Sequence, residues 1–173
     1  MQKLYVPLIL MSLVVACQPG QPSYPVKDIG FIYPENIIDP DAEFRICGTE
    51  EDILQYYNHN APGDKPAGYI GGPKAIKKYL KDHYPGLDLH HDSGMLTIRF
   101  IINCEGKTGH FEMFENDLDF KPTSFHPKTC EQLLEITREL RNWRANQMEG
   151  SYRDSFMYIT YRIENGKITE ILP

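Results

Sequence analysis

The densest cluster of chemistry-bearing side chains in this chain is Asp88-Leu89-His90-His91-Asp92. Imidazoles flanked by carboxylates are donor types that zinc accepts. Neighbouring residues of a strand point to opposite sides, so His90 and His91 can share one ion only where the backbone turns. We read the stretch as a solvated loop, and a metal-binding protein or enzyme built on His90, His91 and Asp92 is the third of three functional readings. His110 lies beside a glycine-containing turn, and His59 and His126 lie in polar segments. No glycine fingerprint for a dinucleotide, no HExxH and no GxSxG occurs. We therefore assign no catalytic residue, no metal ligand set and no cofactor.

The cysteines say more about compartment than about catalysis. Before Cys17 stand Lys3, an apolar run from Leu4 to Val15, and Ala16. Charge, short apolar segment and small residue, in that order, form an export signal, and the run is shorter than the ~20 residues a spanning helix needs. Val14-Val15-Ala16-Cys17 resembles a bacterial lipoprotein box. That resemblance implies removal of residues 1–16 and lipidation of Cys17, with acyl chains of the palmitate type holding the protein on a membrane. Gln18 in place of aspartate points to the outer membrane, facing the periplasm. Cys47, Cys104 and Cys130 then leave one bridge and one unpaired thiol in a compartment that permits disulfides. Their spacing contains no CxxC. Of the pairings we expect Cys47 with Cys104, and Cys130 buried in a helix as a small apolar residue.

The chain carries a formal charge of −6, with no basic run. Nucleic acid and anionic lipid surfaces are poor partners for such a protein. Residues 17–42 hold Pro19, Pro22, Pro25, Pro34 and Pro40 and read as the lipidated cysteine followed by an extended linker; residues 43–173 read as one domain.

The positioning elements follow from periodicity. Leu96, Ile98, Phe100 and Ile102 alternate with Thr97, Arg99, Ile101 and Asn103, as a strand with one buried face requires. Glu105 to Gly109 contains two glycines able to take positive φ, and a second strand is expected over His110 to Glu115. Upstream, Glu43 to Cys47 is expected as a short strand. Thr49 with Asp52 is expected to cap a helix carrying Ile53, Leu54 and Tyr57. Gly71-Gly72-Pro73 opens a helix with Ile76, Tyr79, Leu80 and His83 on one stripe, stopped by Tyr84-Pro85-Gly86. Thr129 with Gln132 reads as a second capping box, followed by Leu133, Ile136, Leu140 and Trp143 at helical spacing. Phe156 to Ile163, the Asn165-Gly166 turn signal and Lys167 to Leu172 make a closing hairpin. The expected class is α+β: an antiparallel sheet of three to four strands with two or three helices packed on one face. Tyr152, Phe156, Tyr158 and Tyr161 could line a groove, but sheet packing accounts for them more simply.

Gly71-Gly72 before a helix, Tyr84-Pro85 after it, Gly94 leading into Thr97-Ile98-Arg99-Phe100-Ile101-Ile102, Gly106 in a turn, then Trp143 and Gly150, occur in an order that resembles the TonB C-terminal domain. The likeness covers about residues 69–163 and is closest to TonB-like domains of Bacteroidota, some carried on lipoproteins. It implies capture of a partner's extended segment as an added strand. The chain departs from the family in its removable apolar segment, in a linker too short to cross a periplasm at ~3.3–3.6 Å per residue, and in Ala145 where a proline is usual. The strand Lys167 to Leu172 is expected to occupy the edge of Phe156 to Ile163. The other edge is left as the partner-binding candidate, with His110, Glu112 and Phe114. Glu112 and Glu115 would there guard against aggregation or select a partner. The leading reading is a non-catalytic, membrane-anchored protein-binding lipoprotein with an envelope protein or peptidoglycan-associated partner. The second is an accessory to TonB-dependent transport.

Overall fold

A computed structural model describes residues 43–55 and 62–172. In chain order the elements are a 3-10 turn at Glu50–Asp52, β1 (Leu54–Gln55), β2 (Gly68–Tyr69), α1 (Gly72–His83), β3 (Gly94–Ile102) and β4 (Thr108–Asn116). Then come α2 (Pro127–Glu139), β5 (Trp143–Arg144), β6 (Asn146–Met148), β7 (Ser151–Arg153), β8 (Ser155–Glu164) and β9 (Lys167–Leu172). The main sheet runs β1-β8-β3-β4, with β9 also on β8, so it has five strands where three to four were expected. β3 is central and antiparallel to both β4 and β8. The outer side of β8 is shared: β1 runs parallel to its start and β9 antiparallel to its end. The expected α+β class holds, with both helices on one face.

That face is the main core. Leu96, Ile98, Phe100 and Ile102 of β3 meet Ile76 and Leu80 of α1 and Leu133 and Ile136 of α2, with Met157, Ile159, Tyr161 and Ile163 supplied by β8. Each such aliphatic or aromatic side chain contributes roughly 1.5–3 kcal/mol when fully buried. Every β3 residue except Thr97 is buried, however, so the strand is covered on both faces and not on one. Ile101 on the opposite face packs with Phe44 and Phe156, and Ile46 and Ile53 lie against them. A segment the periodicity assigns to a strand and a helix thus serves as a second cover.

Within that segment the local signals are read differently by the fold. Residues 43–47 make no strand, because the N–H groups of Cys47 and Gly48 bind a side-chain carboxylate in place of a neighbouring strand. Thr49 and Asp52 do form the capping box, but it holds only one 3-10 turn. Ile53 then turns extended and Leu54 donates to the backbone oxygen of Asp154 at 3.0 Å. A single turn is a costly nucleus, and pairing along β8 outweighs its extension. Tyr57 lies outside the described residues.

α1 opens as the sequence suggests, with Gly71 at φ +89°; a methyl added there would lie 2.8 Å from the Cβ of Ala75. α2 starts one turn earlier than expected. His126 is its cap, its ring nitrogen accepting from Lys128 N at 3.3 Å, while Thr129 is buried inside the helix. The helix ends at Glu139, so Leu140 and Trp143 lie beyond it. Trp143 sits in β5 opposite Tyr69, with its indole N–H donating to Leu140 O at 2.9 Å and its ring 5.0 Å from Phe100. Apolar spacing recorded that both side chains are buried, and the backbone between them did not have to be helical.

In the β3–β4 hairpin, Gly106 takes φ +78° as expected. Gly109 does not serve the turn: it lies in β4, where an added methyl would come 2.3 Å from the Phe44 ring. The left-handed residue is His110, φ +54°, at the register shift opposite Arg99 and Ile101. The closing hairpin turns on Asn165 and Gly166, both at positive φ.

Gly109 is thus the slot for Phe44. Gly109→Ala is expected to destabilise by about 1–3 kcal/mol through overpacking. Denaturant titration of Gly109→Ala, Phe44→Leu and the double variant should show a double-variant cost below the sum of the singles, since both act on one contact. Simple additivity would contradict the assignment.

Candidate functional site

The second cover is fixed by one carboxylate. Asp154 stands between β7 and β8 and is 4% exposed. Its Oδ2 accepts from Cys47 N at 2.7 Å and Gly48 N at 2.8 Å, and its Oδ1 accepts from Cys104 N at 2.9 Å. Beside it Cys47 and Cys104 form the expected disulfide, with Cα atoms 6.0 Å apart. Asn103, also buried, binds Glu105 N and Lys107 N through Oδ1 and donates to Arg45 O at 2.9 Å. Residues 43–54 are therefore stapled to the β3–β4 turn and to the start of β8. Asp154 went unnoticed in the sequence, because its three donors come from positions about 50 and 107 residues away. Among the described residues, Cys47, Cys104 and Asp154 are the one metal-sized group of sulfur, imidazole and carboxylate donors. With the two sulfurs bonded to each other, neither is a thiolate ligand.

The edge read as a partner site is partly rebuilt. β4 is the last strand on its side of the sheet path, and the described residues add to its outer side only the Asn116–Pro122 bridge, with Thr123 N donating to Glu115 O. Glu112 is not a solvent-facing acid. It is 1% exposed and receives Arg99 Nε at 2.9 Å and Arg99 Nη2 at 2.5 Å across the β3–β4 pair. The Arg99 guanidinium lies 5.3 Å from the Phe114 ring centre and 5.8 Å from that of Phe156. Glu112 was expected at the edge as a guard against aggregation or a partner-selecting acid; its burial against Arg99 leaves it available for neither. His110 packs edge-on against Phe44 at 5.1 Å, and Phe114 is half-buried. Glu115 is also engaged, accepting from Phe125 N at 2.5 Å. A partner reaching β4 would therefore meet backbone more than these side chains.

The histidine stretch is a turn, as expected, with His90 and His91 at φ +52° and +58°. His90 N donates to Asp88, its ring stacks on His126 at 4.0 Å, and Asp92 accepts from His126 N at 3.0 Å. Gly166 N donates to Asp92 O, and a methyl on Gly166 would meet His91 N at 2.9 Å. These contacts seat the turn between the cap of α2 and the closing hairpin. Of the aromatics, Tyr161 and Phe156 are buried, Tyr158 is half-buried and Tyr152 is exposed. Tyr161 OH is 2.9 Å from Thr137 Oγ1, and burial pushes its pKa up. Cys130 is a half-buried thiol in α2, pushed up to about 12 first by burial and then by Glu115. Cys17 lies outside the described residues. No protein-family model, no curated protein and no solved structure matches the chain.

Two outcomes check this geometry. Glu112→Gln, which removes the Glu112 charge from the buried Arg99 guanidinium, is expected to cost about 3–5 kcal/mol in denaturant titration, whereas Arg99→Met with Glu112→Leu is expected to cost much less. Equal costs would show the pair to be solvated. The raised Cys130 pKa keeps the thiol protonated through neutral pH. The associated stabilisation is complete below the unfolded value of 9.0 and is lost as pH rises toward about 12. Native protein at pH 8 should accordingly react with a disulfide reagent far more slowly than unfolded protein, and equal rates would refute this.

Proposed function

We propose that this chain is a lipid-anchored envelope protein that binds another envelope protein by strand addition at β4 and catalyses no reaction. The carrying observation is the strand order: among the described residues β8 has β1 and β9 on its outer side, and β4 ends the sheet on the other. A sheet edge offers backbone donors and acceptors to an extended segment, and affinity then comes from main-chain hydrogen bonds. The Cys47–Cys104 disulfide suits an oxidising compartment, in agreement with the export signal before Cys17. The polar groups that might have served chemistry, Asp154, Glu112, Asp92 and His90, are engaged in holding backbone or one another. That leaves the metal-binding reading with little support. The accessory-transport reading rests on the TonB resemblance alone.

Two measurements test the proposal. Metabolic labelling with an alkyne fatty acid should mark the wild-type chain and not Cys17→Ala; label on both would remove the anchor. The chain should also retain an envelope protein from extract only when its disulfide is intact, and hydrogen exchange of that complex should show new protection in residues 108–114. Protection confined to other elements, or no retained protein that depends on the folded domain, would overturn the edge.

A further inference from the structure

After β4 the chain closes a rigid five-residue turn, Asp117-Leu118-Asp119-Phe120-Lys121. One oxygen of Asp117 accepts from Asp119 N and Lys121 N, both at 2.9 Å. Its backbone N–H donates to Lys121 O at 2.8 Å, and its backbone oxygen accepts from Phe120 N at 3.1 Å. The turn displays apolar side chains instead of hiding them: Leu118 is 41% exposed and Phe120 72%. Phe120 also sits at φ +62°, a conformation that disfavours a bulky L residue and that a glycine would occupy without strain. A bulky side chain that is both strained and largely solvated gains little from burial, and backbone strain of this kind clusters at functional sites.

The complementary surface lies at the opposite lateral edge of the sheet. Between α1 and β9 is a groove of about 530 Å³ lined by Leu80, Tyr84, Pro85 and Ile168, with Lys77 and Lys81 contributed by α1. The two lysines stand one helical turn apart and are exposed. Tyr84 OH donates to Glu139, and Asp82 is engaged by Lys78, so the charged groups lining the groove itself are cationic. The knob beyond β4 is apolar and carries one net negative charge, its two aspartates set against Lys121, whose Nζ lies 4.0 Å from Asp119, and the groove beside β9 is apolar and basic. We infer that the chain associates head to tail with a second copy, the Leu118–Phe120 knob of one entering the Lys77/Lys81 groove of the next. This contact stands independently of strand addition at β4. It joins two different patches, so it is heterologous and propagates into rows or rings. Confinement of both copies by a lipid anchor would raise their effective concentration and let a modest contact act. The acidic turn argues against a bilayer as the occupant.

The test uses the full chain in its own envelope, co-expressed with two different epitope tags. A benzophenone amino acid replaces Phe120 in one copy. Irradiation should give an adduct carrying both tags, reduced at least tenfold when the other copy carries Lys77→Glu with Lys81→Glu. Asp119→Lys in the knob copy should restore it. Phe120→Gly should raise or preserve the melting temperature while abolishing association of otherwise unlabelled chains, which separates contact from folding. Absence of a two-tag adduct, an adduct indifferent to the lysine reversal, or benzophenone crosslinks to lipid alone would each overturn the inference.

Discussion

A strand buried on both faces has to be covered twice, and this requirement at β3 organises the rest of the chain. One cover is conventional: two amphipathic helices lay Ile76, Leu80, Leu133 and Ile136 across the even-numbered positions of the strand. The other, built from Phe44, Ile46 and Ile53, has no regular structure over residues 43–49 and no ladder of its own to hold it. Its backbone donors are met by the Asp154 carboxylate, a charge-assisted arrangement stronger than neutral hydrogen bonds. The Cys47–Cys104 bridge removes freedom from the unfolded chain at the same point. Gly109 leaves the space the Phe44 ring fills.

This arrangement explains why the polar residues that draw attention in the sequence perform structural work. Glu112 neutralises Arg99 beneath the second face, where an unpaired charge would be expensive. Asp92 and His90 position the start of α2 against the closing hairpin. Asp117 closes a turn. Among the features that the described residues turn outward are a sheet edge, a strained aromatic and a lysine-lined groove, all suited to recognition.

The class of fold was legible because β3, α1 and the closing hairpin obey local rules. Alternation at Leu96 to Ile102, the glycine-proline opening at Gly71 to Pro73 and the Asn165-Gly166 turn each specify backbone without outside help. Legibility failed where tertiary contacts overrule local preference. The Thr49–Asp52 box forms but cannot extend, because Leu54 is taken by Asp154 and β8. Thr129 resembles a cap yet is buried within the helix, since Pro127 and His126 start it earlier. Gly109 looked like turn residue chemistry and proved to be a packing vacancy for a ring 65 positions upstream. Of the candidate site, the disulfide was anticipated, whereas Asp154 and the burial of Glu112 depend on partners that no short-range pattern links.

The claim beneath this account is that Asp154 fixes the second cover of β3 independently of the helical face. Residue-resolved hydrogen exchange on Asp154→Asn, with the disulfide intact, tests it most directly, since local and global opening are then distinguished. The amides of Cys47, Gly48 and Cys104 are expected to lose protection while those of Leu133 to Thr137 keep theirs. Unchanged protection at the three amides, or an equal loss throughout both regions, would contradict it.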